Sequence, residues 1–155
     1  MLQFYFCFDI IDTKEECLKM DIFDKKMEEK EARLLNPLVL AFVGDAVYSL
    51  YVKTQVLDLS AGKVNKFNNI AKSYVNASAQ ANKLKALKEI LTEDEMYIAK
   101  RARNSNIHSF AKNFSVEEYR YATAFEALVG YLFLTNQMQR LKEILEYSQG
   151  DKNED

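Results

Sequence analysis

One proline and four glycines are all that this chain of 155 residues has for breaking regular structure. So few breakers favour long helices over many short strands, because closely spaced strand turns draw on Gly and Pro. The proline stands where a helix would begin. In Asn36-Pro37 the Asn suits the N-cap, and the Pro suits the first helical position, where its missing N–H has no helical partner to lose. The run from Leu38 to Tyr48 is apolar nearly all round and predicts a buried helix; its length and cap decide against a strand. A loop around Ser60-Ala61-Gly62 is expected to end it.

Helical spacing continues beyond that loop. From Val64, apolar or small residues recur at Phe67, Ile70, Tyr74, Ala77, Ala81, Leu84, Leu87 and Leu91, with lysines on the other face. Thr92 with Glu95 forms a capping-box pattern that starts a helix running toward Arg103. Asn104 to Asn113 is polar, lacks periodicity and reads as a loop. Ser115 with Glu118 forms a second capping box before the mostly apolar run Tyr119 to Leu132, and Leu141, Ile144 and Leu145 mark a last amphipathic helix. The expected fold is all-α: one domain over residues 34–147, an N-terminal extension over 1–33 and a polar tail over 148–155. The extension joins an apolar start, Leu2 to Phe8, to the charged stretch Asp21 to Glu31, and is expected as a helix or an arm without chemistry.

Cys7 and Cys17 lack zinc-ligand spacing, and His108 is the sole histidine, so a reduced, cytoplasmic protein is expected. No apolar stretch approaches the ~20 residues of a membrane-spanning helix. The apolar start has no basic residue before it and acids after it, unlike a secretory signal. A net charge of −2 argues against a nucleic-acid partner until its distribution is considered. No acid lies between Asp58 and Glu89, but Lys63, Lys66, Lys72, Lys83, Lys85 and Lys88 do. Between Glu95 and Glu117 the charges are Lys100, Arg101, Arg103 and Lys112, again without an acid. These windows are either ordinary solvated helix faces or a phosphate-binding surface hidden by the overall balance.

Two carboxylates stand where stability alone would not put them. Asp45 and Glu126 lie inside the two most apolar helical runs, beside Gly44 and near Gly130. Burying a carboxylate is expensive unless it is paired or metal-bound. A helix glycine costs roughly 1 kcal/mol against alanine but lets a neighbouring helix approach closely. The two helices are therefore expected to pack through their glycines and bring Asp45 and Glu126 to one site. A hard cation with oxygen ligands, most simply Mg²⁺, would relieve the repulsion and activate water for phosphodiester hydrolysis. The alternative is that each acid reaches the surface or pairs with an arginine such as Arg120.

Val43-Gly44-Asp45-Ala46-Val47 resembles the signature of the ribonuclease III catalytic domain, a family of Mg²⁺-dependent endonucleases specific for double-stranded RNA. Phe125-Glu126-Ala127-Leu128-Val129-Gly130 resembles that family's second acidic helix. Lys100-Arg101-Ala102-Arg103-Asn104, the run Tyr119 to Leu128, and Gln80 within Asn76 to Ala81 are similar to the Mini-ribonuclease III branch, which lacks a separate double-stranded-RNA-binding domain. The likeness spans roughly residues 34–147, and four patterns in order are far more specific than one Gly-Asp-Ala. It implies a helical homodimer with Asp45 and Glu126 as catalytic residues and Mg²⁺ ligands. It also implies Lys100, Arg101 and Arg103 as phosphate contacts, with Lys72, Lys112 and Gln80 as further RNA-binding candidates; Gln80 is equally a packing residue.

The wider family carries further acids one turn before each catalytic one; here those positions are Ala41 and Thr123, which implies a metal shell filled largely by water and phosphate. Ala111 replaces a proline usual in the branch, and Ser78 stands where a relative often has lysine. The implied products carry 5′-phosphates, and the implied substrate is precursor ribosomal RNA of the large subunit. Two other readings fit the residues less well. A non-catalytic double-stranded-RNA-binding protein would not need both Asp45 and Glu126, and a helical adaptor would leave the segregated lysines unexplained.

Overall fold

The computed structural model describes residues 26–59, 62–105 and 114–147, and every regular element among them is a helix. In chain order these are α1 (Glu29–Leu34), α2 (Pro37–Leu59), α3 (Val64–Val75), α4 (Ala77–Leu87), α5 (Glu93–Arg103), α6 (Val116–Leu134) and α7 (Met138–Glu146). The axis of the fold is α6. From Ala122 to Leu132 every residue but Glu126 is buried, because α2, α4 and α5 pack around that helix. Phe125, Leu128 and Leu132 supply much of its apolar bulk, and Tyr48 of α2 meets the Phe125 ring edge-on at 4.9 Å. Among the described residues no helix is long and apolar enough to cross a membrane.

Three helix starts expected from the sequence have a hydrogen-bonded cause. Asn36 Oδ1 accepts from the Leu38 N–H at 2.9 Å ahead of Pro37. Both reciprocal capping boxes form, Thr92 with Glu95 and Ser115 with Glu118. At the far end of α6, Asn136 takes a left-handed φ of 56°. The N–H of Asn136 then reaches the Phe133 carbonyl and that of Gln137 the Leu132 carbonyl, which closes the helix as a Schellman motif.

Two expectations need correction. The apolar periodicity from Val64 to Leu91 suggests one continuous segment, but Asn76 leaves helical geometry with ψ of 159° and divides it into α3 and α4. The Asn76 side chain serves both halves: Oδ1 accepts from Ala79 N–H, and Nδ2 donates to the Lys72 and Ser73 carbonyls. The period survives the break because both halves bury their apolar side. The other correction concerns α2, which is not buried all round. Leu40, Ala41, Gly44 and Tyr48 face the core, whereas Phe42 is 81% and Leu50 60% exposed on the outer face.

Residues 27–33, at the end of the expected extension, pack on the body through Met27 and Ala32. Ala32 is wholly buried, and Met27 N–H donates to the Leu134 carbonyl at 2.8 Å. Across the fold, Arg140 of α7 grips the buried Glu95 of α5 through two hydrogen bonds, at 2.7 and 2.9 Å, and donates to the Ile90 carbonyl. Burial pushes the Glu95 carboxyl up, but the bonds from Arg140 and Thr92 outweigh it and hold the group below its ordinary value.

Candidate active site

The site begins with two glycines and a helix crossing. A Cβ placed on Gly44 would lie 1.7 Å from the Glu126 carbonyl oxygen, and one on Gly130 would lie 2.0 Å from the Leu40 carbonyl oxygen. No side chain fits there, so the backbones of α2 and α6 meet directly. Asp45 follows Gly44 on one helix, and Glu126 lies one turn before Gly130 on the other. The close packing of the glycine helices and the meeting of the two carboxylates thus have one cause.

The carboxylates occupy unequal surroundings. Asp45 is exposed, contrary to its expected burial, while Glu126 is largely sunk between helices. Burial first, and then the negative charge of Asp45, push the Glu126 carboxyl up to about 7; the Gln80 amide, turned toward it, pulls the other way. Among the described residues neither acid has an ion-pair partner, and Arg120 neutralises neither. Two facing carboxylates without a cationic side chain form a donor set that suits a hard divalent cation. The set is thin, with no cluster of three or more His, Cys, Asp or Glu placed to hold a metal among the described residues. Ala41 is core, and the Thr123 hydroxyl donates to the Tyr119 carbonyl at 3.0 Å, so neither replaces the missing acids.

The remaining candidates separate into distinct groups. Lys72 is exposed in the last turn of α3. Lys100 and Arg103 line a cleft of about 420 Å³ between α4, α5 and α6, together with Lys85 and Lys88. Arg103 lies 5.5 Å from the Tyr121 ring centre and donates to its hydroxyl at 3.4 Å; Lys85 lies 5.0 Å from the same ring. Lys85 and Lys88 stand in the acid-free window between Asp58 and Glu89, the one signal in the chain that could have marked them as site candidates.

Arg101 and Gln80 are engaged within the fold. The Arg101 guanidinium donates to the Arg33 and Leu35 carbonyls and clasps the α1–α2 junction onto α5. Gln80 is 1% exposed, and its Nε2 donates to the Val75 carbonyl at 3.3 Å. Its packing alternative fits this burial. Lys112 and His108 lie outside the described residues.

The chain matches the Ribonuclease III domain family over residues 38–137. The Mini-ribonuclease 3 of Thermoanaerobacter is 47% identical to it over 114 residues, 74% of this chain and 80% of that protein. The Mini-ribonuclease 3 of Enterococcus faecalis is 44% identical over 120 residues, 76% of this chain and 91% of that protein. A crystal structure of a protein from Fusobacterium nucleatum aligns with a TM-score of 0.68 at 34% identity, covering 73% of this chain and 90% of that one.

Proposed function

The chain belongs to the ribonuclease III family, in its Mini-ribonuclease 3 branch, and from that premise we propose that this endoribonuclease cuts double-stranded RNA with Mg²⁺ held by Asp45 and Glu126. The observation that supports the metal most directly is the glycine crossing, which brings the helices of the two carboxylates into contact, with Asp45 near enough to raise Glu126 and no ion-pair partner for either among the described residues. Bound there, Mg²⁺ would supply an activated water and charge stabilisation at the scissile phosphate. Asp45, on the exposed side, is the acid nearer to incoming RNA; Glu126 is held by the core. Their folded positions avoid reorganisation during the reaction, a contribution that a loop-borne pair would lack.

Binding falls to the basic surface. Lys85, Lys88, Lys100 and Arg103 gather at one cleft, with Lys72 further off on α3. From Gln80 beside Glu126 to Lys88 is eight residues of α4 and its end, about 12 Å of helix rise, so the cleft meets phosphates away from the scissile one. Contacts to backbone and shape select A-form RNA over B-form DNA. Homodimerisation finds support in the outer face of α2, where Val39, Phe42 and Leu50 are exposed on the helix that carries Asp45. A second copy packed there would bury that apolar face and set two sites across one duplex, one for each strand. The proposed substrate is precursor ribosomal RNA of the large subunit, cut in the cytoplasm to 5′-phosphate ends.

The test is cleavage of an end-labelled RNA duplex with and without Mg²⁺, beside a DNA duplex of the same sequence. Cutting of RNA alone, and only with the metal, is the expected result. Equal cutting of both duplexes, or cutting in chelator, would refute the proposal.

A further inference from the structure

The cleft between α4, α5 and α6 offers more than charge. Lys85, Lys88, Lys100 and Arg103 line it, and among the described residues no acid does. Its remaining lining is apolar: Leu84 from α4, Leu91 from the turn after it, Met96 and Ala99 from α5, and Ala124 from α6. Tyr121 forms one wall. The space is about 420 Å³, inside the span of roughly 300–1,000 Å³ typical of pockets that enclose a small organic group. The cations are open to a new partner. Lys88 and Lys100 have no ion pair among the described residues, and Lys85 has only the exposed Glu117 at 3.8 Å, a contact of little worth in water.

A paired duplex has no use for the apolar part. Its bases are stacked inside the helix, and it offers a protein phosphates, riboses and base edges. Phosphates need cations on a surface, not an apolar hollow beneath them. The group that joins a flat, largely apolar body to an anion is a nucleotide whose base has left the stack. Unpaired bases settle on aromatic rings and arginine planes. The cleft holds both kinds of partner: Arg103 lies 5.5 Å and Lys85 5.0 Å from the centre of the Tyr121 ring.

We propose that this cleft receives an unpaired nucleotide of the substrate RNA, with its base against the apolar lining and Tyr121 and its phosphate at the cations. The inference rests on the reading of the basic surface as the RNA-binding one. It makes the cleft a specificity device: a helix with a bulged nucleotide in the right register is held more tightly than an unbroken helix.

The experiment measures affinity by gel shift in chelator, so that cleavage does not intervene, with the full chain. Three kinds of RNA are compared: a fully paired duplex, the same duplex with one bulged adenosine moved stepwise along a strand, and the same series with an abasic nucleotide in the bulge. The abasic series keeps the bend and the phosphate and removes only the base. The expected result is a register at which the adenosine bulge binds about 5- to 150-fold more tightly than the abasic one. Tyr121→Leu should bring that ratio toward one and leave affinity for the paired duplex near the parent's. Tyr121→Phe, which keeps the ring, should keep the ratio. Met96→Trp, changed at a half-buried position and large enough to take the space of a base, should lower it as Tyr121→Leu does, and locates the base should Tyr121→Leu melt far below the parent. A ratio that survives the folded variants overturns the assignment to this cleft. A parent that binds no duplex overturns the RNA-binding reading and this inference together. A parent that binds the paired duplex, but takes adenosine and abasic bulges alike at every register, overturns this inference alone.

Discussion

Substituting Gly130 with alanine should damage stability and catalysis together. The added methyl would lie 2.0 Å from the Leu40 carbonyl oxygen. Carbon settles against a neighbouring heavy atom at roughly 3.5 Å, so the helices must part by roughly 1.5 Å. The obstacle is backbone within a long helix and cannot swing aside as a side-chain tip would. Alanine gains roughly 1 kcal/mol in helix propensity over glycine, while overpacking costs about 1–3 kcal/mol and occasionally more. The net loss should lower the melting temperature by several degrees, at about 3 °C per kcal/mol for a domain near this size. The same displacement moves Glu126 relative to Asp45, and a shift of about 1 Å in a catalytic group can cost about 100-fold in rate. Calorimetry and duplex cleavage read the two effects. Gly62→Ala is the control: its Cβ meets only the flexible Lys66 side chain, at 3.1 Å for the nearest atom, so both readouts should stay near the parent. If Gly130→Ala melts and cuts like the parent, α2 and α6 do not touch as described and the origin assigned to the site is wrong.

Asp45→Asn should abolish Mg²⁺-dependent cleavage, retain duplex binding in a gel shift, and melt in chelator no lower than the parent, because the charge opposing Glu126 is gone; near-normal cutting would reject its catalytic role. The Glu126 carboxyl, pushed up to about 7 in the fold from its ordinary 4.5, binds more protons folded than unfolded in that interval. Metal-free stability should therefore fall as pH rises from 4.5 through 7, by an amount on the order of 2–3 kcal/mol, and melting curves of Glu126→Gln should be flatter there. Changing Lys85 and Lys88 to alanine should reduce the salt dependence of duplex binding by a slope of about 0.7–0.9 per lost phosphate contact, with an unchanged slope counting against the cleft. Arg101→Ala should instead lower the melting temperature and leave the salt slope alone, since its guanidinium is engaged by the Arg33 and Leu35 carbonyls.

Signals with local physical causes were legible in the chain. A capping box needs only four consecutive residues, and Thr92 with Glu95 and Ser115 with Glu118 form theirs as expected. The glycine crossing was legible because Gly44 and Gly130 made sense in helix interiors only if something came close. The direction of a side chain after assembly was much harder to read. Arg101 belongs to the same basic run as Lys100 and Arg103, yet its position on α5 turns it onto two carbonyls from an element 66 and 68 residues away. Gln80 was ambiguous because periodicity cannot tell a buried amide from a buried leucine. The exposure of Asp45 and Phe42 follows from the same limit: an apolar run reports that surface wants covering, without saying whether the cover comes from this chain.

That distinction gives α2 its particular place in the proposed mechanism. One side of the helix is fixed against α6 by contact so close that neither glycine tolerates a methyl group. The other carries Phe42, 81% exposed, and Leu50, 60% exposed. Asp45 lies between these two residues in sequence and is itself exposed. A partner covering the apolar side would therefore hold α2 between two packed surfaces and lower the local dielectric around Asp45, strengthening its interaction with Glu126 and with any cation they share. On this argument metal affinity rises with assembly. Calorimetric Mn²⁺ titrations across a range of protein concentrations should show tighter binding above the dimer's dissociation constant, and Phe42→Glu, which opposes burial of that face, should remove the concentration dependence. Affinity that is independent of concentration through a measured monomer–dimer transition would sever the link between the two sides of the helix.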